Sequence, residues 1–280
     1  VVAVFQPAEE LALGADAMIA DGLFERFPKP SIVLGQHVGP LPAGMVGYRS
    51  GPVMAGVDSL RVRLFGRGGH GARPESTIDT VLLAASVVVR LQGIVSREVA
   101  PAETAVVTVG FVHAGTKDNI VPDEAELGLT VRTYSPDVRT QVLAAIERIV
   151  RAEAAASGAE KEPEIVVANS SPTLVSDPAA TERTVAAFVE HFGQGGLLPI
   201  PQLTSSEDVG NFGLAAGVPT VYWYWGGPDR DRVLAALAAG RFEQDIPGNH
   251  SPHFAPMIEP TITTGVEALT VAALTWLGEG

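Results

Sequence analysis

From Val57 to Ala168 the hydrophobic pattern switches repeatedly between period two and a period near 3.6, and this switching narrows the possible fold more than any other feature. DSLRVRLFG alternates as a strand, Ser76 to Val99 reads as a long amphipathic helix, and TAVVTVGFV and AELGLTVRTY follow as two strands. A second helix is expected from Pro136 to Ser157, opened by Ser135 as its N-cap, and EPEIVVAN closes the series as a strand. The order β-α-β-β-α-β is that of the split ferredoxin-like sandwich. On either side the pattern changes. Val1 to Phe5 and Ser31 to Leu34 are short apolar or β-branched runs around a helical segment, Gly14 to Phe24, which suggests a β-α-β unit and a parallel sheet. After Asn169 come a helix from Thr181 to His191, the strand TVYWYW and a final helix from Thr264 to Leu277. The expected fold class is α/β: a parallel-type sheet with helices shared between residues 1–56 and 169–280, and an inserted ferredoxin-like α+β domain at 57–168.

Charge and composition exclude several partners. The net charge of −13 opposes binding to nucleic acid or to an anionic membrane surface, both of which require a basic face. No apolar run reaches the roughly 18 residues of a membrane span; the longest, TVLLAASVVV, stops at Arg90. A small-molecule partner is the expectation. The chain contains no cysteine, which rules out disulfides and thiolate chemistry in these residues and fits a cytoplasmic location. Val1 has neither a preceding Met nor a signal-peptide pattern and reads as a cut or processed end.

Two motifs carry no weight. GRGGHG, Gly66 to Gly71, satisfies G-x-G-x-x-G, but Ala72, Arg73 and Pro74 separate it from the next helix, so it reads as a flexible turn presenting His70. The tripeptides at Asn169 and Asn249 are chance matches to a glycosylation signal. Of the histidines, His113 and His191 have no acidic or glycine context and receive no role. His37 ends a strand in LGQHVGP and His250 lies in the turn-rich GNHSPHF, both at ends of elements, where α/β sheets place their sites. With Glu10, at the end of the Val1–Phe5 run, they form a His/His/carboxylate set suited to zinc or manganese.

Glu9 and Glu10 are adjacent, so their side chains diverge and cannot flank one glycosidic bond. Divergence suits a division of labour in which one carboxylate holds a metal and the other moves a proton. The competing reading is a surface acidic pair that opens a helix.

The motifs FQPAEE, GQHVGP, GRGGHGARPE, SREVAP, KDNIVPDEAELGLTVRT, SSED and NHSPHF, in this order and spacing, resemble the hippurate hydrolase and indole-acetyl-amino-acid hydrolase branch of the metallo-aminoacylase/carboxypeptidase family. The resemblance implies an amidohydrolase with two divalent metal ions (zinc, manganese or cobalt) acting on N-acyl amino acids or related small amides. It implies that the inserted domain is a lid that forms a homodimer. Glu9 would be the general base and acid, Glu10 and His250 would hold one metal, and His37 the other, with His253 a neighbour. His70 would stabilise the oxyanion, commonly in the active site of the partner subunit, and Asn119 and Arg132 would hold the substrate carboxylate.

Family members carry, before FQPAEE, roughly a hundred further residues, about half a domain. These include a His-x-Cys-Gly-His-Asp motif that supplies a histidine ligand and a bridging cysteine. On that basis Val1–Phe5 is expected to be an interior strand of an incomplete sheet. The chain alone is expected to lack activity, to bind metal sub-stoichiometrically and to yield a protease-resistant core near Val57–Ala168. Two function classes stay open at this point: the hydrolase, and a catalytically silent relative that keeps only dimerisation or ligand binding.

Overall fold

The computed structural model describes residues 1–277, and the chain divides into two units, one formed by Val1–Met54 with the residues from Leu174 onward, the other by Ala55–Thr173. In the first unit a four-stranded sheet has Val33–Gly39 at one edge, then Thr220–Gly226, Val46–Tyr48 and Leu197–Pro199. Val33–Gly39 and Thr220–Gly226 run parallel, with His37 opposite Tyr224, whereas Thr220–Gly226 and Val46–Tyr48 are antiparallel. The sheet is therefore mixed, where the sequence suggested a parallel one. The two-residue period sorts the faces. Val221 and Trp223 pack with Phe188, Ala268 and Ala272, on the helices Pro178–Phe192 and Thr261–Leu277. Tyr222 points the other way and packs with Val53, Met54 and Leu174.

Val1–Phe5 forms no strand. Val1 and Phe5 are 87% and 90% exposed, against the expected buried interior strand. An apolar run becomes a strand only when a ladder satisfies its backbone groups, and among the described residues Val1–Phe5 has none. The helix expected over Gly14–Phe24 breaks in two, Gly14–Ala20 and Leu23–Arg26. Gly22, at φ 82°, makes the left-handed turn between them.

The second unit is an antiparallel sheet ordered Ala105–Ala114, Glu124–Thr133, Gly56–Phe65, Glu164–Ser171, with two helices, in the β-α-β-β-α-β sequence read from the pattern. Its core joins Leu60, Val62 and Leu64 of the sheet to Leu83, Val87 and Leu91 of one helix and Val142, Ile146 and Val150 of the other. The first helix begins at Thr80, because Asp79 accepts from the backbone N–H groups of Val81 and Leu82, and it continues through a wider π turn, Ile94–Glu98. Thr80–Glu98 is long and apolar enough to cross a membrane on length and composition alone. Its Leu83, Ala84, Val87, Leu91 and Ile94 stripe is buried within the unit, which marks a core helix. The second helix, Pro136–Ala156, is capped by Ser135 as expected. Strand Glu164–Ser171 runs beyond Ala168, so the unit ends at Thr173, five residues past the bound read from the pattern.

Candidate active site

Glu9 and Glu10 sit on a single 3-10 turn, Glu9–Leu11, between two left-handed alanines, Ala8 at φ 51° and Ala12 at φ 50°. The turn separates the two carboxylates, as divergence requires. Glu9 faces inward: oxygens of Glu9, Glu207 and Asp208 lie within 4.8 Å of one another. Glu10 faces outward, its Oε2 3.6 Å from Nε2 of His250, and both side chains are exposed.

Glu207 and Asp208 come from SSED, just before the helix Gly210–Ala216. In the sequence SSED contributes to the family resemblance, with no separate role implied for either acid. The available signal was a second adjacent acidic pair placed immediately before an apolar segment. Glu207 is buried; its Oε1 accepts from the Val209 N–H at 3.1 Å and its Oε2 from the Tyr222 hydroxyl at 3.1 Å. Tyr222 reaches it because strand alternation puts that ring on the face opposite Trp223. Burial first, and then the charges of Glu207, Glu10 and Asp208, together push the Glu9 carboxyl up to about 7. Burial also raises Glu207, against its two hydrogen bonds and the nearby His37.

His37 lies two residues inside the C-terminal end of its strand, which runs on to Gly39, and stands beside Tyr224 with ring centroids 5.9 Å apart. Its Nδ1 is 2.6 Å from the Val38 carbonyl oxygen. That contact fixes the proton on Nδ1 and leaves the Nε2 lone pair to ligate. Asn249, immediately before His250, donates to the same carbonyl at 2.6 Å, so the His250 loop is docked on the end of the His37 strand.

The donor set suits a divalent cation. Ligands about 2.0–2.2 Å from a tetrahedral ion are roughly 3.3–3.6 Å apart. The 3.6 Å Glu10–His250 separation fits two corners of such a site and is too long for a hydrogen bond. The surrounding carboxylates also leave negative charge that a cation would neutralise.

The remaining candidates lie in the second unit. His70, in the two-residue strand Gly69–His70, pairs with Ile120, and its Nδ1 accepts the Ala72 N–H at 3.0 Å, which leaves the Nε2 proton free to donate. Asn119 is beside it, its carbonyl oxygen accepting from Gly71 N at 2.8 Å. Arg132 stands opposite Val57 and Val106, eight residues along its strand from Glu124 and roughly 27 Å from that residue at strand rise. His191 forms a surface pair with Glu267 at 3.2 Å and His113 stacks on Phe111 at 4.5 Å, neither in the site.

The first unit thus carries a carboxylate–histidine cluster on a mixed α/β sheet, and the second is an antiparallel sheet with two helices. Residues 55–157 match the model of the peptidase dimerisation domain of the M20 type. N-acetyldiaminopimelate deacetylase of Bacillus licheniformis is 35% identical over 227 residues, covering 81% of this chain and 59% of that protein. Hippurate hydrolase of Campylobacter jejuni is 38% identical over 211 residues, covering 74% and 54%. The crystal structure of the Bacillus subtilis YXEP protein, a dinuclear metal-binding peptidase of the M20 family, superposes with a TM-score of 0.71 at 24% identity, over 99% of this chain and 65% of that one. The chain carries an M20 peptidase dimerisation domain and is homologous to the M20 amidohydrolases. It spans less than two thirds of the length of the relatives it matches.

Proposed function

We propose that this chain belongs to a metal-dependent amidohydrolase that cleaves the amide bond of N-acyl amino acids or related small amides. The carrying observation is the separation of the adjacent pair, Glu9 toward the buried Glu207 and Asp208, Glu10 toward His250. Glu10 and His250 would hold one divalent ion and His37 would contribute to a second; zinc, manganese and cobalt all suit nitrogen and carboxylate ligands. Bound there, the ions supply Lewis acidity and a more acidic water.

Glu9 does the proton work. A carboxyl raised to about 7 is close to the pH at which it both accepts a proton from water and returns it to the leaving amine. His70, with its Nε2–H free, is the donor for the amide oxyanion, and Asn119 next to it contacts the substrate. Arg132 would hold the substrate carboxylate with Asn119, in a homodimer that the dimerisation domain supports. The relatives' names support acylated amino acids as the substrate class.

The test uses the complete protein with its metal. Glu9→Gln should abolish turnover, at least ~10³-fold, with metal content nearly intact, since Glu9 moves the proton and does not coordinate. Glu10→Gln should lose metal and activity together. Equal metal loss in the two variants would exchange the roles, and unchanged activity in both would discard the site. Turnover of unaltered protein in excess chelator would discard the metal.

A further inference from the structure

The loop carrying the carboxylate pair is closed at its base, and one buried side chain closes it. Asp208 is fully buried. Its Oδ1 accepts from Gln6 Nε2 at 2.5 Å and its Oδ2 from the Ala15 backbone N–H at 3.1 Å. Gln6 and Ala15 lie on the two sides of residues 7–14, so a single carboxylate ties both ends of the segment that contains Glu9 and Glu10. The ends also touch directly: a Cβ on Gly14 would fall 1.6 Å from the Pro7 carbonyl oxygen. Between these ties Ala8 and Ala12 both hold positive φ, which alanine rarely adopts. Backbone held this way persists only where its surroundings over-determine it. The contacts at Asp208 and at Gly14 are those surroundings.

We infer that Asp208 is a positioning residue, holding the 7–14 loop through Gln6 and Ala15 in the strained form that turns Glu9 toward Glu207 and Glu10 toward His250. Its consequence for catalysis rests on the amidohydrolase reading; its effect on the loop does not. Asp208 lies within reach of Glu9, but each of its oxygens already accepts an N–H, and the two donors it serves bracket the carboxylate pair. An aspartate recruited as a metal ligand has no need to grip both ends of a neighbouring loop.

The test uses the 280-residue chain, with hydrogen exchange read by mass spectrometry and Co2+ titrated alone and followed by visible absorption. In Asp208→Ala the amides of residues 8–15 should exchange at least about 10-fold faster while those of residues 55–173 do not change. Co2+ affinity should fall about 10-fold or more, the range for loss of an outer partner. Gln6→Ala removes no carboxylate and should reproduce both effects. It also carries the test if Asp208→Ala does not fold. A folded Asp208→Ala with unchanged exchange over residues 8–15 overturns the inference. So does a Co2+ loss in Asp208→Ala with normal exchange and none in Gln6→Ala, which would make Asp208 a ligand. If the unaltered chain takes up no Co2+, exchange over residues 8–15 alone decides, and faster exchange there in both Asp208→Ala and Gln6→Ala upholds the positioning role.

Discussion

Glu9 couples the site to stability. Its carboxyl ordinarily titrates near 4.5 and is held in the metal-free fold at about 7. Between those values the folded chain keeps a proton that the unfolded chain has released, so stability falls as pH rises through the window. Glu207, raised in the same direction by burial, adds to the slope. Calorimetry of chelated protein at pH 5, 6 and 7 should show a falling melting temperature. Glu9→Gln should flatten it. A melting temperature that rises over that interval would contradict the assigned environment. At this scale the sequence made part of the site legible. Chain geometry required Glu9 and Glu10 to diverge and only the family resemblance gave them separate roles; His250 lies in a turn-rich loop as read, whereas His37 lies two residues inside its strand. Glu207 and Asp208 stayed unread because their function depends on burial, and burial depends on a strand partner 15 residues away in Tyr222.

Among the elements, those with caps and a sustained period were the readable ones. Pro136–Ala156 starts where the Ser135 side chain accepts the Val138 N–H, and the earlier helix starts at Thr80, where Asp79 accepts two N–H groups. The short strands Val46–Tyr48, Leu174–Ser176 and Leu197–Pro199 left no period to detect, and only tertiary pairing defines them. Val1–Phe5 erred in the opposite direction, with strong β propensity and no ladder. The Asp79 cap can be measured directly. Asp79→Ala should lower the stability of the second unit by about 1 kcal/mol, seen as a shifted denaturant midpoint with an unchanged m-value. Asp79→Ser should restore most of it. No shift would mean that packing of the Leu83–Val87–Leu91 stripe fixes the helix start without the cap.

As a whole molecule the chain is two compact units on one polypeptide. The core formed by Leu60, Val62, Leu64, Leu83, Leu127, Ile146 and Val150 draws only on residues of the second unit, and all four strands of its main sheet and the two helices packed on it lie within 55–173. A fragment of residues 55–173 should therefore fold alone and unfold in a single cooperative transition, with coincident near- and far-ultraviolet circular dichroism. Its melting temperature should lie within a few degrees of one transition of the full chain. A fragment without fixed tertiary signal would show that the unit borrows stability from the rest of the chain. The domain order was readable because this unit is a complete sandwich in sequence. The mixed sheet was not, because its strands come from both sides of the insertion and nothing local reports their direction.

The loop of left-handed alanines also writes a signature into the space of tolerated sequences. Residues near a reactive centre ordinarily accept few replacements, yet Ala8 and Ala12 sit where an L side chain is disfavoured by roughly 1–2 kcal/mol and glycine is at ease. Gly14 faces the opposite constraint, with the Pro7 carbonyl occupying the place of any Cβ. A saturation library scored for folded protein should then be enriched for glycine at positions 8 and 12, depleted of valine, isoleucine and threonine there, and restricted to glycine at 14. Enrichment of β-branched residues at 8 or 12 would contradict the geometry. Those positions would form a small island of glycine preference beside two glutamates, fixed by backbone shape before any substrate selects among the variants.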